Sequence, residues 1–207
     1  MKQTHHSWQR FWRERHHGVD AAAVMRRVGA DGRLDARFLF LTLVSCTVAM
    51  LGLLLDSTPV VIGAMLMAPL LGPIAQMGIA LARADAAMAA RGAGTLIAGA
   101  GCALALSVLL AWAVPGDAPT REILARTQPG LLDLAVAIVS GLAGGYALVR
   151  TDISVFAGVA IATALMPPLA VCGYGIAHAD AAIAGSAALL FLGNMVGIAL
   201  GIAAASA

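Results

Sequence analysis

From residue 38 onward the chain is a succession of apolar runs divided by short polar breaks. Six runs stand out: 38–55, 59–82, 93–114, 133–149, 154–177 and 181–205. The breaks are Asp56-Ser57-Thr58, Arg83 to Arg91, Pro115 to Leu132, Arg150-Thr151-Asp152 and His178-Ala179-Asp180. Each run is about 17–25 residues long, enough for a helix rising 1.5 Å per residue to cover roughly 30 Å of hydrocarbon. The pattern predicts an all-α, polytopic membrane protein with about six transmembrane helices in a domain over 38–205.

Residues 1–37 have a different pattern and read as a basic cytoplasmic tail. They carry Lys2, Arg10, Arg13, Arg15, Arg26, Arg27, Arg33 and Arg37, together with His5, His6, His16 and His17. Trp8, Phe11 and Trp12 share one helix face at i, i+3 and i+4 among arginines. That face predicts a surface helix lying on an anionic lipid leaflet. The membrane accounts for the basic charge, so no nucleic-acid partner is expected. The paired histidines have no acidic or thiol partner nearby, so no metal and no other cofactor is expected.

Charge also orients the spans. With a cytoplasmic amino terminus and six crossings, the tail cations, Arg83, Arg91 and Arg150 lie inside, and only Arg121 and Arg126 lie outside. This is the excess that the positive-inside rule describes. It predicts a multi-pass protein of a cytoplasmic (inner) membrane with both termini inside.

Composition then removes whole classes of function. The chain is 60% hydrophobic and 12% charged, whereas soluble domains carry about 25% charged residues. An ordinary soluble enzyme and a disordered chain are both excluded. Cys46, Cys102 and Cys172 lie within apolar runs at spacings that match neither a metal motif nor a disulfide framework, and read as small apolar filler. No Gly-x-Ser-x-Gly elbow, phosphate-binding glycine loop or His-Glu-x-x-His is present. Enzymatic activity is not expected.

The sequence partly repeats itself at a shift of 95. Segment 60–89 falls on 155–184 and pairs Gly63 with Gly158, Pro73 with Pro168, Gly78 with Gly173, Ala84 with Ala179 and Asp85 with Asp180. Three-span units over about 38–114 and 133–205 have an odd number of crossings. They would therefore form a 3+3 inverted repeat, an architecture frequent in secondary transporters.

The second and fifth runs are unusual in containing closely spaced prolines: Pro69, Gly72 and Pro73 in one, Pro167 and Pro168 in the other. Proline removes a helical N–H and clashes with the preceding turn. Freed carbonyls at membrane depth must be buried in protein or line a cavity, and matched broken helices are a pointer to a substrate or ion site. The candidate path is Gly63, Pro69, Gly72, Pro73, Gln76, Thr163, Pro167, Pro168 and Asn194. For Gln76 and Asn194 a hydrogen bond to a neighbouring helix is the simpler role. Asp56 and Asp152 precede the broken helices, as caps or as part of an entrance. Gly193, Gly197 and Gly201, with Gly141 and Gly145, form four-residue ridges that allow close helix packing, either between the repeats or between protomers. A homo-oligomer is expected from them.

The stretch Asp56 to Ile74, DSTPVVIGAMLMAPLLGPI, resembles the signature of a prokaryotic membrane family catalogued as domain of unknown function 389. Arg126-Thr127-Gln128-Pro129, Asp133-Leu134, the segment 140–147 and the segment 158–170 also fit it. The resemblance covers about 38–205. It implies a multi-span inner-membrane protein and names no substrate. The resulting expectation is a channel or transporter for an ion or small solute. The rival is a membrane scaffold or interaction protein. A polar crevice at the broken helices favours the first, and a sealed apolar contact the second.

Overall fold

In a computed structural model the protein is described over residues 21–114, 118–149 and 165–207. The tail face of Trp8, Phe11 and Trp12, the residues Asp152 and Thr163, and the first half of the fifth apolar run lie outside the described residues. The described elements are nine helices and no strands: α1 Ala21–Asp31, α2 Ala36–Leu54, α3 Thr58–Met67, α4 Leu71–Ala82, α5 Ala86–Ala113, α6 Arg121–Leu124, α7 Leu131–Val149, α8 Met166–Ala177 and α9 Ala181–Ser206.

Four of these, α2, α5, α7 and α9, are long and apolar enough to cross a membrane. The pair α3 and α4, bent by 59° at a break of three residues, makes a fifth candidate. Thr58, at the start of α3, donates to Glu122 of α6, whereas Arg83–Asp85, after α4, leads straight into the amino end of α5. By length and composition the pair is a broken span or a re-entrant loop.

The outward faces carry large apolar side chains. Trp112 is 79% exposed, Leu131 86% and Leu132 82%. An apolar surface on this scale suits hydrocarbon. Within the bundle α2 packs on α3, α5 and α8, while α9 packs on α4, α7 and α8.

The described part of the basic tail region packs on the bundle. In α1, Val28 is buried and Met25 half-buried, three residues apart on one face, and the helix packs on α4. The carbonyl of Asp31 lies so close to Gly72 that a Cβ there would come within 2.0 Å of its oxygen.

The repeat of 95 residues reappears in backbone geometry. After α4, the N–H groups of Arg83, Ala84 and Asp85 donate to the carbonyls of Ile79, Leu81 and Ala80. After α8, those of His178, Ala179 and Asp180 donate to Tyr174, Ile176 and Gly175, each partner 95 residues further on. Ala84 and Ala179 share a left-handed conformation, φ 53° and 54°. Asp85 and Asp180 then cap α5 and α9. Packing repeats as well. Gly78 of α4 abuts Ile202 of α9, and Gly173 of α8 abuts Ser107 of α5. Ile202 and Ser107 are also 95 apart.

Candidate functional site

The break between α3 and α4 follows from two prolines four residues apart. Pro69 has no N–H for the carbonyl of Met65, and Pro73 has none for that of Pro69. The backbone tightens instead: the Ala68 N–H reaches Met65 and the Gly72 N–H reaches Pro69, both three residues back. In a continuous helix the Ala68 N–H would serve Ala64. That carbonyl is served instead by the Ser45 hydroxyl of α2, at 2.7 Å and fully buried. Part of the freed backbone is thus satisfied by protein.

Ser45 belongs to a small polar seam on α2. One turn earlier, the Thr42 hydroxyl is buried without a hydrogen-bond partner. Beside it, the Cys46 Sγ lies 3.2 Å from the Ala103 carbonyl and 3.0 Å from the Ser107 hydroxyl of α5. Cys46 and Cys172 are buried, Cys102 is exposed, and all three are free thiols.

Below the break the chain opens into two cavities. One, of about 280 Å³, is lined by Pro69 and Gly72 of the break and by Asp31, Arg33, Asp35 and Arg37 of the α1–α2 connection. The second, of about 600 Å³, is lined by Gln76, Thr95, Arg33 and Arg91 with Met25 and Met88. Gln76 is 4% exposed, and its Oε1 has no hydrogen-bond partner. The side chain is wedged between Gly32 and Gly92: a Cβ on Gly32 would lie 2.6 Å from its Cδ, and one on Gly92 3.1 Å from its Cβ. These two glycines provide the space for the amide.

The expected path residues therefore separate. Pro69, Gly72 and Gln76 face cavities. Pro73 is buried in the first turn of α4, where its missing N–H is tolerated. Pro167 and Pro168 are buried in the first turn of α8 and line none of the described cavities. Gly63 is half-buried with open space beside it, and Asn194 is buried within α9.

Asp56 does not cap the broken helix. The residue before α3 is Ser57, whose side chain makes no capping bond. Asp56, at φ 52°, turns instead to the segment after α5 and accepts from the Glu122 N–H at 2.9 Å. Thr120 donates to the Leu53 carbonyl, and Arg126 pairs with Glu122 at 2.7 Å. Together these contacts fasten the α2–α3 turn to α6.

The glycine ridges are used within the second half of the chain. A Cβ on Gly201 would lie 2.3 Å from the Ile138 carbonyl oxygen, and one on Gly141 2.4 Å from that of Ile198. Gly145 and Gly197 likewise meet α9 and α7, but Gly193 has nothing within 4 Å. The ridges thus clamp α7 to α9, a third alternative beside packing between repeats or between protomers.

Arg33, Arg91 and Thr95 did not stand out as site residues in the sequence. The two arginines counted only toward orientation, and no spacing connects positions 33, 76 and 91.

The helices and their lipid-suited surface define an all-helical, multi-pass membrane protein. The chain belongs to the family described as Domain of unknown function (DUF389), whose model matches residues 65–200. It is similar to an uncharacterized protein of Methanocaldococcus jannaschii, at 33% identity over 165 residues. The match covers 80% of this chain and 52% of that protein, so the chain spans about half the length of the curated relative it matches. No solved structure matches the chain.

Proposed function

We propose that the protein is an inner-membrane channel or transporter for a small solute or ion, built as a 3+3 inverted repeat with both termini cytoplasmic. The observation that carries this reading is the break at Ala68–Leu70, where Pro69 and the adjacent Gly72 line a cavity with charged residues rather than a dry contact. Gln76, one turn on, lines the second cavity. The inverted repeat is supported by the matched turns after α4 and α8 and by the reciprocal packing of Gly78 and Gly173. Two three-span units in series enter the membrane from opposite sides, as in many secondary transporters. In this reading the cavities form the inlet on the tail side, and the Asp56–Glu122 fastening holds the far side together. Ser45, which holds the Ala64 carbonyl, narrows the connection between them.

Flux tests the reading. The purified protein in liposomes is compared with a Pro69→Ala, Pro73→Ala double variant, in which the helical ladder can close, by solute-swelling assay and planar-bilayer recording. Flux in the parent protein that is lost or altered in a folded variant is the expected result. Absence of flux from both across ions and small solutes turns the reading toward a scaffold.

A further inference from the structure

We infer that the 600 Å³ cavity between α1, α4 and α5 is a binding site for a phosphate group that carries a neighbouring hydroxyl. Two arginines line it, Arg33 from the α1–α2 connection and Arg91 from the first turns of α5. Neither is paired with a carboxylate within 4 Å among the described residues, and no described residue lining the cavity is acidic. Asp31 and Asp35 line the neighbouring smaller cavity, which Arg33 also lines. Two arginines lining one cavity with no carboxylate among its described lining residues are suited to an anion, and the fork of a guanidinium matches phosphate oxygens.

The second, independent observation is Gln76. Its side chain is buried, lines the cavity and leaves Oε1 without a partner. A buried amide oxygen left unmatched is costly; this one is enclosed beside Gly32, and a hydroxyl-bearing ligand removes that cost once the amide turns. A half-turn about χ3 presents either the oxygen or the NH2 group to the cavity. Thr95, also buried, adds a hydroxyl that can donate or accept. Met25 and Met88 give the remaining wall an apolar character suited to the glycerol or upper acyl part of a lipid. The chemistry recognised is a glycerol-type phosphate, either as the headgroup of an anionic lipid or as a free phosphate ester. The cavity is also the inlet of the proposed path, but binding is read without flux, so failure of the one reading is distinguishable from failure of the other.

The experiment uses the full chain, with a pair of lipids, glycerol 3-phosphate and inorganic sulfate as probes. Retention of phosphatidylglycerol against phosphatidylcholine is measured by native mass spectrometry after exchange through mixed nanodiscs, and glycerol 3-phosphate binding by calorimetry. The variants are the double change Arg33→Gln and Arg91→Gln, at two exposed positions, and separately Gln76→Leu. A preference for phosphatidylglycerol that falls about tenfold or more in the arginine variant, the scale of one lost charge-assisted contact, supports the lipid headgroup as source. The same loss seen with glycerol 3-phosphate supports a soluble ester. Gln76→Leu is expected to weaken glycerol 3-phosphate binding while leaving the binding of inorganic sulfate, which carries no hydroxyl, close to the parent's. Equal retention of the two lipids together with no ester binding, or binding unchanged in the arginine variant, overturns the inference.

Discussion

Replacing Ser45 with alanine tests how the break in the second span is tolerated. The Ser45 hydroxyl is 2.7 Å from the Ala64 carbonyl, and both residues are fully buried. The N–H that would serve Ala64 in a continuous helix, that of Ala68, is bonded to Met65. Alanine removes one oxygen and creates almost no cavity, so the change isolates the hydrogen bond. An ordinary side-chain bond between membrane helices averages about 0.6 kcal/mol. An orphaned buried acceptor costs about 1–3 kcal/mol, and the second figure applies if the break depends on this bond. Thr47 provides the control on the same helix. Its hydroxyl also bonds a carbonyl, that of Leu43 at 2.9 Å, but Leu43 already lies four residues back in an intact ladder. Thr47→Val is therefore expected to change stability by less than about 0.5 kcal/mol. For a chain of this size, 1 kcal/mol moves Tm by roughly 2–4 °C, so Ser45→Ala should lower Tm by several degrees. Thermal unfolding in mild detergent, followed by tryptophan fluorescence, measures both. If Ser45→Ala costs no more than Thr47→Val, the carbonyl of Ala64 is satisfied in some other way and the argument fails.

Two further outcomes follow from packing and backbone geometry. Gly173→Ala places a Cβ 2.3 Å from that of Ser107, and Gly201→Ala places one 2.3 Å from the Ile138 oxygen. Each should destabilise by about 1–3 kcal/mol through overpacking, whereas Gly193→Ala, with open space, should be neutral in the same melt. Ala84→Gly and Ala179→Gly relieve left-handed alanines, a conformation costing roughly 1–2 kcal/mol. Both should raise Tm, and by similar amounts because the two turns share the same hydrogen bonds; unequal shifts of opposite sign would deny that equivalence.

Much of the fold was legible as hydrophobic length. The runs at 38–55, 93–114, 133–149 and 181–205 correspond to α2, α5, α7 and α9, because a span must be apolar for about 30 Å whatever it packs against. The run at 59–82 became α3 and α4, as the two prolines required. The shift of 95 carried through to hydrogen bonds because an Ala-Asp turn closing one helix and capping the next is a local device.

Only the tertiary structure decided what depends on neighbours. Asp56 reads from sequence as a cap of the helix that follows it or as part of an entrance, and it accepts from the Glu122 N–H, 66 residues away. A carboxylate serves whichever N–H lies within reach, and the loop after α5 is the nearer one. The glycine ridges offered several partners, and α7 against α9 was selected by which backbones can approach closely. Gln76 was readable as a polar residue beside a kink, but its cavity needed Arg33 from an upstream connection and Arg91 from the next helix. Sequence determined which segments are apolar enough for lipid and where their ladders must break, because both are properties of consecutive residues. The cavities, the carbonyl held by Ser45 and the pairing of helix faces arise from residues brought together across helices, which no local pattern encodes.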